Sequence, residues 1–352
     1  MNSHLLQRQA SVGLSHHFTD LSKKPDLSFI PTVEIMAPSA ISVDTPVGDH
    51  PPRVWTTLLT NTAYLTGLLT LDYSLKRSKS LYPLIVLYTD ELPAEAHEAL
   101  DRRGIRKRHV PYLLPSAGND YSNDPRFYDC WTKMVPFGLT EFERIVQLDS
   151  DMLVMRNMDE LMTIELDSPA LEGKGDRVFA ASHACVCNPL KRAHYPSDWV
   201  PENCAYTHQH GKPDEAQTTG APCTTGLQYM NGGLQVVNPS KAVYDLILKT
   251  LDKPQTADYA FADQSLLSDL FRGRWVGLPY VYNALKTLRW KGVHDSIWRD
   301  EEVKNVHYIL APKPWNGKDV HNEADLVTHE WFWDMNEERK KAEKEAGIDD
   351  EY

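Results

Sequence analysis

Residues 144–154 read RIVQLDSDMLV, and this stretch decides the class of fold that we expect. Its first part, Arg144–Leu148, is apolar and β-branched enough to favour a buried strand. Two aspartates, Asp149 and Asp151, follow at once at the carboxyl end of that strand. Ligands of open α/β sheets bind beyond the carboxyl ends of the strands. The stretch therefore predicts a core strand that ends in a binding site.

The chain upstream of this stretch alternates between apolar strands and an amphipathic helix. The segments VWTTLL at 54–59 and LIVLY at 84–88 are typical of buried strands. Between them, Leu68, Leu71 and Leu75 recur at helical spacing. A strand, a helix and a strand within about 35 residues form a βαβ unit. We therefore expect an α/β fold whose sheet is covered on both faces.

The alternation continues towards the C-terminus. We expect helices over 94–103, 131–143, 240–251 and 263–272, and strands over 178–181, 233–237 and 303–309. Residues 183–228 lack periodicity and are rich in Pro, Cys, His, Asn and Thr, which is typical of a long loop. We divide the chain into an N-terminal tail at 1–52, one α/β domain at 53–335 with the insertion 183–228, and a charged C-terminal helix or tail at 336–352.

Charge and composition argue against several classes of function. The formal net charge of -12 is opposite to the basic footprint of a nucleic-acid-binding protein. It is compatible with a nucleotide ligand, which needs only a few local cations. The sequence shows no apolar run of about 18 residues that would span a membrane, and no apolar core of a signal peptide near its start. Together with an odd number of cysteines, these features favour a cytoplasmic protein.

The two aspartates and a later histidine are candidate metal ligands. Asp149 and Asp151 can share one hard divalent cation, and such a cation can bridge a diphosphate. A polar turn after a strand would explain them too, but their place after a core strand favours the metal. His307 ends a predicted strand and could complete the site, while Lys313 after the next loop could neutralise a phosphate. Taken alone, a core histidine and a solvated lysine explain that pair better.

Two further motifs carry polar groups at the ends of predicted elements. Asn231-Gly232-Gly233 opens a strand, where glycines allow a close approach of the backbone to a ligand and the amide can bind hydroxyl groups. A simple glycine turn explains this motif equally well. Asp263-Gln264 begins a helix, a position that favours aspartate whatever the function.

Taken in order, these motifs resemble glycosyltransferase family 8, which includes glycogenin and the galactinol synthases. The resemblance covers roughly 53–320 and rests on LLTN at 58–61 with Tyr64, Lys133, the two aspartates, NGG at 231–233, DQ at 263–264 and His307 with KPW at 313–315. It implies the GT-A fold, a Rossmann-like mixed sheet flanked by helices. It also implies a UDP-sugar donor, Mn2+ as cofactor and transfer of a hexosyl group with retention of configuration.

The resemblance implies a role for each matched residue. The metal ligands would be Asp149, Asp151 and His307. The substrate-binding residues would be Leu58, Thr60, Asn61, Tyr64, Arg126, Lys133, Ser150, Asn231 and Gly232. The catalytic residues would be Asp263, Gln264 and Lys313. In this scheme the metal and Lys313 stabilise the UDP leaving group, and Asp263 orients the sugar or the acceptor for attack on the same face.

The chain departs from glycogenin at several positions. Ala260 and Leu310 stand where glycogenin has an aspartate and a glycine. The segments FADQ at 261–264, VYN at 281–283 and CVC at 185–187 look more like the galactinol synthases. We therefore expect UDP-glucose or UDP-galactose as donor and a polyol, another small molecule or a glycan as acceptor. A self-glucosylating primer and a catalytically silent UDP-sugar-binding protein are the alternatives, and a homodimer stays open.

The insertion 183–228 raises two further expectations. Because both its ends are anchored near the donor sugar, we expect it to cover the acceptor side of the cleft. Its potential zinc ligands are Cys185, Cys187, Cys204 and Cys223 with His183, His208 and His210. Their spacing is not that of a standard zinc finger, so we expect free thiols in a loop.

Overall fold

The computed structural model describes residues 52–352. The predicted tail at 1–52 lies outside the described residues except for Pro52. The strands are β1 (Arg53–Leu59), β2 (Leu84–Tyr88), β3 (Arg106–His109), β4 (Arg144–Leu148), β5 (Met152–Val154), β6 (Phe179–His183), β7 (Met230–Val237), β8 (Val276–Gly277), β9 (Ala284–Leu285) and β10 (Asn305–His307). The α-helices are α1 (Leu65–Arg77), α2 (Ala94–Arg102), α3 (Arg126–Cys130), α4 (Lys241–Leu251), α5 (Ala262–Leu270) and α6 (Leu326–Glu345).

A mixed sheet with the strand order β3-β2-β1-β4-β7-β6-β8 forms the centre of the described part. Strands β3, β2, β1 and β4 run parallel, whereas β7 is antiparallel to both β4 and β6. A small second sheet has the order β5-β10-β9. Strand β1 leads outward to β2 and β3, while β4 lies on its other side. The carboxyl ends of β1 and β4 therefore meet at a topological switch point, where ligands of such sheets bind.

The first βαβ unit folds as its sequence pattern predicts. Every residue of β4 is buried, and so are Leu68, Leu71 and Leu75 on one face of α1. A short 3-10 turn precedes α1, and the side-chain oxygen of Asn61 accepts a hydrogen bond from the Ala63 N–H at 3.0 Å. This cap satisfies a backbone group that the turn would leave without a partner. The α/β prediction is confirmed by this sheet and its flanking helices.

The predicted helix at 131–143 has the wrong boundaries. The α-helix occupies Arg126–Cys130 and continues as a 3-10 helix over Trp131–Gly138. Pro136 has no N–H to donate within a helix, and its ring hinders a regular α-helical turn. The segment therefore reaches the start of β4 through a turn. It carries Arg126 and Lys133 along the side of the switch point.

Two further elements differ from what the pattern suggests. Strand β3 is not predicted because its sequence, RKRH, is fully polar, and it lies at the edge of the sheet, where charged residues discourage further pairing. Helix α6 begins well before residue 336, since Phe332 and Met335 are buried in the core next to β10. The division of the chain at residues 335 and 336 thus falls inside a helix. No helix of residues 52–352 is long and apolar enough to cross a membrane.

The segment 183–228 is built from short 3-10 turns rather than regular helices. These turns are Pro201–Asn203, Thr207–Gln209 and Glu215–Gln217. Its buried side chains, among them Cys204 and Tyr206, join the core cluster that contains the residues of β9 and β10. The segment therefore packs against the part of the fold that carries His307.

Candidate active site

A cleft opens at the carboxyl ends of β1 and β4. Of the residues predicted for the site, it is lined by Leu58, Thr60, Asn61, Tyr64, Arg126, Lys133, Asp149, Ser150, Asp151, Asn231, Gly232, Asp263, Gln264 and His307. Lys313 does not line the cleft. The structure thus brings together residues that are separated by up to about 250 positions in the chain.

Three predicted metal ligands converge in this cleft. The ligand atoms of Asp149, Asp151 and His307 all lie within 4.8 Å of one another. His307 Nε2 is 3.2 Å from Asp151 Oδ1 and 3.6 Å from Asp149 Oδ2. Two carboxylates and one imidazole form a donor set that suits a divalent ion such as Mn2+. This group could hold one such ion, and three protein ligands would leave coordination positions for a substrate.

A hydrogen-bond chain fixes the orientation of His307. Its Nδ1 donates to Asn283 Oδ1 at 2.9 Å, and Asn283 Nδ2 donates to Asn231 Oδ1 at 2.8 Å. With the proton on Nδ1, the lone pair of Nε2 points towards the two carboxylates. A side chain at Gly233 would place its Cβ 2.3 Å from a ring atom of His307, so only glycine fits there. Asn283 was not predicted, although the VYN motif that contains it was noted.

Each of the two aspartates has a lysine partner. Lys133 Nζ donates to Asp149 Oδ1 at 2.9 Å. Burial would raise the pKa of Asp151, but Lys313 and His307 outweigh it and hold that pKa well below its ordinary value. Asp151 is therefore ionised at neutral pH, which is the form that binds a cation.

Lys313 lies behind Asp151 rather than at the surface of the cleft. Its buried ammonium donates to the Asp151 carboxylate and to the Tyr308 carbonyl oxygen, the latter at 2.6 Å. It also lies 5.6 Å from the centre of the Tyr64 ring. Leu310, in the loop before it, has a left-handed backbone with φ of 64°. The loop thus adopts a conformation that glycine favours, at the position where glycogenin has glycine.

Asp263 is a buried carboxyl group at the start of α5. Burial raises its pKa to about 7, with Lys133 opposing and Asp149 adding to that shift. A Cβ at Gly232 would lie 2.6 Å from Asp263 Oδ2, so the glycine admits this carboxyl group next to β7. Gln264 Oε1 accepts from the Gly232 N–H at 3.1 Å. A carboxyl group with a pKa near neutrality inside a cleft is typical of functional sites.

Residues that follow β1 and residues in and next to α3 form a further part of the cleft lining. Arg126 Nη1 donates to the Tyr64 hydroxyl at 3.2 Å, and its guanidinium makes a two-point ion pair with Asp124. Thr60 Oγ1 donates to Asp129 Oδ2 at 2.8 Å. Asp124 and Asp129 were not predicted as site residues, since single acidic residues in a polar segment do not indicate a function. Together these contacts hold an aromatic ring and a guanidinium beside the switch point.

Ser150 joins the ends of the two central strands. Its hydroxyl donates to the Leu58 carbonyl oxygen at 2.7 Å and lies 3.0 Å from Thr57 Oγ1. This contact fixes the backbone between Asp149 and Asp151 against β1. The role predicted for Ser150 in substrate binding stays a prediction.

The segment 183–228 supplies part of the cleft wall. Asn188, Tyr195 and Trp199 line the cleft. Trp199 stacks on Phe261 with ring centres 4.4 Å apart, and Tyr195 meets the same ring edge-on at 5.1 Å. Since Phe261 lies just before Asp263, this aromatic group stands beside the buried carboxyl group. The sequence offered one clue, which is the presence of large aromatic residues in an otherwise polar loop.

The chain is similar to proteins of a known family. The profile of "Glycosyl transferase family 8" matches residues 56–319. Galactinol synthase 2 of Solanum lycopersicum is 28% identical over 303 residues, which cover 84% of this chain and 83% of that protein. Galactinol synthase 4 of Arabidopsis thaliana is 26% identical over 298 residues, which cover 81% of each.

Two solved structures share the fold. Galactosyltransferase LgtC, solved with donor and acceptor sugar analogues, has a TM-score of 0.51 at 17% identity, over 81% of this chain and 96% of LgtC. The glycosyltransferase GlyE of Streptococcus pneumoniae has a TM-score of 0.50 at 18% identity, and the match spans 81% of this chain but only 60% of GlyE. Both similarities confirm the predicted GT-A fold. With the family profile matching most of the sequence, the chain belongs to glycosyltransferase family 8 and is a hexosyltransferase.

Proposed function

We propose that this protein transfers a hexosyl group from a UDP-sugar to a hydroxyl group of a small molecule. The donor would be UDP-glucose or UDP-galactose, and a divalent ion, Mn2+, would assist at Asp149, Asp151 and His307. The convergence of these three side chains at the switch point is the observation that supports the proposal most. The relatives above are named galactinol synthases, and one of the solved structures with the same fold is a galactosyltransferase. UDP-galactose with a polyol is therefore the first pair to test.

The residues after β1 would bind the uridine part of the donor. Tyr64 offers a ring face and Thr60 a hydroxyl group at the end of the strand, and Arg126 stands next to them. A divalent ion held by Asp149, Asp151 and His307 would neutralise the diphosphate and stabilise the charge that develops on UDP. Lys313 would add a second positive charge beside the same phosphates through its place next to Asp151.

Asp263 and Gln264 would lie beside the transferred sugar. Gln264 accepts a hydrogen bond from the Gly232 N–H of β7, and the Asp263 carboxyl group lies beside the same glycine. Retention of configuration by attack on the same face needs the acceptor hydroxyl held next to the leaving phosphate. We assign Asp263 to the orientation of the sugar or acceptor hydroxyl by hydrogen bonding. With its pKa raised to about 7 by burial, it can donate as well as accept near neutral pH.

A panel of UDP-sugars tests this function. The purified protein is incubated with each donor and Mn2+, with and without polyol acceptors, and released UDP is measured. We expect UDP release that requires the metal, is strongest with one hexose donor and rises with a polyol. The Asp149→Asn variant serves as the inactive control.

Two other outcomes would replace the proposal. If UDP-sugar binds but no UDP is released with any acceptor, the protein is a binding protein. If UDP is released without an acceptor and the intact mass of the protein increases by whole hexose units, it is a self-glucosylating primer.

A further inference from the structure

A second cluster of metal-ligating side chains lies apart from the carboxylate group. The ligand atoms of Cys185, Cys187, Cys204 and His294 all lie within 4.8 Å of one another. Cys187 Sγ is 3.2 Å and Cys204 Sγ is 3.3 Å from His294 Nε2. None of these cysteines forms a disulfide. The four residues come from three separate parts of the chain, so their convergence is a property of the fold.

We propose that Cys185, Cys187, Cys204 and His294 bind a structural zinc ion. Three thiolates and one imidazole are a standard ligand set for tetrahedral zinc. With Zn–S near 2.3 Å and Zn–N near 2.0 Å, a tetrahedron separates sulfur from nitrogen by about 3.5 Å. The two sulfur–nitrogen distances in the cluster are within a few tenths of that value. Thiolate ligands favour zinc over the oxygen-seeking ions that suit the carboxylate group.

The surroundings of His294 support this assignment. His294 is fully buried, and its Nδ1 lies 2.8 Å from His210 Nε2. When Nδ1 donates its proton to His210, the lone pair of Nε2 faces the three sulfur atoms. Zinc-binding histidines almost always have such a partner on the second ring nitrogen. The ring of Tyr206 packs edge-on against His294 at 5.4 Å and restrains it further.

The cluster differs from the zinc ligands that the sequence suggested. Cys223 and His208 are not part of it, and His183 Nε2 lies 3.1 Å from the carbonyl oxygens of Ala221 and Pro222. His294 lies outside the insertion altogether. The set seen in the structure is the one that completes four ligands, which is the number expected of a structural site.

A zinc ion here would tie down the wall of the cleft. Cys187 and Cys204 enclose the stretch that carries Tyr195 and Trp199. Binding both ends of that stretch to His294 would hold these aromatic residues against Phe261. The proposal concerns stability and shape and does not depend on the identity of the donor or acceptor.

Elemental analysis of the purified protein tests the site. We expect about one zinc per chain after purification without added metal, since structural zinc sites bind tightly. Cys204→Ser should reduce the zinc content at least tenfold, whereas Cys223→Ser, a cysteine of the same segment outside the cluster, should retain it. Asp149→Asn should also retain it. Protein without zinc, or zinc that is lost with Asp149→Asn but kept with Cys204→Ser, would overturn the proposal.

A spectroscopic measurement covers the case in which Cys204→Ser does not fold. Cobalt is exchanged into the wild-type protein, and the absorption spectrum is recorded. Tetrahedral thiolate ligation gives sulfur-to-cobalt charge-transfer bands that carboxylates cannot produce, so their absence would refute the site. His210→Ala, which removes only the partner of His294, should weaken zinc binding by about 10–100-fold. Unchanged zinc affinity in that variant would contradict the proposed orientation of His294.

Discussion

The fold brings together two groups of potential metal ligands that differ in number and type. We call Asp149, Asp151 and His307 the carboxylate group, and Cys185, Cys187, Cys204 and His294 the thiol cluster. The first offers three potential ligands at a cleft, whereas the second offers four and includes two fully buried side chains. Three ligands leave room for a substrate on the ion, and four complete its coordination. The number and type of potential ligands are therefore those of a catalytic metal site in the first group and of a structural metal site in the second.

The largest effect should come from removing one ligand of the carboxylate group. Asp149→Asn should lower kcat/KM by about 100-fold or more, because charge on the leaving group loses its stabilisation. Its zinc content should stay unchanged, which separates the two sites. Activity assays with Mn2+ and elemental analysis measure both, and Asp176→Asn, at an exposed position, is the control. Near-normal activity would mean that Asp149 is not a metal ligand.

Asp149 is a better target than Asp151 for this test. Asp151 is 4% exposed and pairs with both Lys313 and His307. Substitution there would leave the buried Lys313 ammonium without its carboxylate, which costs about 3–5 kcal/mol of stability. Asp149→Asn also takes the carboxylate from the buried Lys133, but the Asp149 side chain is 21% exposed, so the loss of stability should be smaller. The free energy of unfolding is therefore measured beside the activity in either variant.

Lys313→Ala should affect stability and UDP binding together. The variant leaves the buried Asp151 carboxylate without its ammonium partner, so the free energy of unfolding should fall by about 3 kcal/mol. UDP affinity and turnover should fall as well, since a positive charge next to the phosphates is lost. Lys313→Arg should restore only part of both, because the planar guanidinium has a different reach. Urea unfolding and calorimetry with UDP measure the two effects.

The two readouts distinguish the roles of Lys313. A loss of stability without any change in UDP affinity would show that Lys313 serves only as the counter-ion of Asp151. The predicted diphosphate contact would then be wrong.

Asp263 should give the protein a stability that depends on pH. Burial raises its pKa to about 7 from 3.8. Between these values the folded state binds more protons at this group than the unfolded state, so its contribution to stability falls as pH rises towards 7. Asp263→Asn removes this titration. The free energy of unfolding of the variant minus that of the wild type should therefore be higher at pH 8 than at pH 5.5 by about 2 kcal/mol. Urea unfolding at both values, with Asp176→Asn as control, measures this change, and a pH-independent difference would contradict the raised pKa.

The fold and the carboxylate group could be predicted because their signals are local. Asp149 and Asp151 follow a fully buried strand, and the carboxyl ends of parallel strands share one edge of a sheet. His307 could be placed beside them only through the family resemblance. Asn283 was missed because its role is to orient His307, and nothing near it in the sequence indicates that contact.

The thiol cluster could be predicted only in part, because its signals are not local: the sequence suggested Cys185, Cys187 and Cys204 as potential ligands, but not His294. Cys204 and His294 are 90 positions apart, and His294 lies in a run of turns without periodicity. Only the packing of the irregular segment 183–228 against the residues around β9 and β10 brings them together. The helix boundaries around Pro136 were missed because the proline does not by itself fix where the α-helix ends, and the segment Trp131–Gly138 also packs against α4 and β4.

The aromatic wall of the cleft should influence the acceptor more than the donor. Tyr195→Ala opens the side of the cleft that the segment between Cys187 and Cys204 forms, so the acceptor KM should rise by about tenfold. Slow hydrolysis of the donor in the absence of acceptor should change little. Tyr73→Ala, a half-buried tyrosine away from the cleft, is the matched control. Equal effects on acceptor use and donor hydrolysis would place this wall at the donor instead.

The smallest effect should come from the loop between His307 and Lys313. Leu310 has φ of 64°, a conformation in which a Cβ costs about 1–2 kcal/mol. Leu310→Ala keeps that cost and loses apolar burial, whereas Leu310→Gly loses the burial but removes the cost. The glycine variant should therefore be more stable than the alanine variant by roughly 0.5–1 kcal/mol, the reverse of the order in ordinary backbone. Urea unfolding of both variants decides this, and an alanine variant that is the more stable of the two would show that the loop does not hold this conformation in solution.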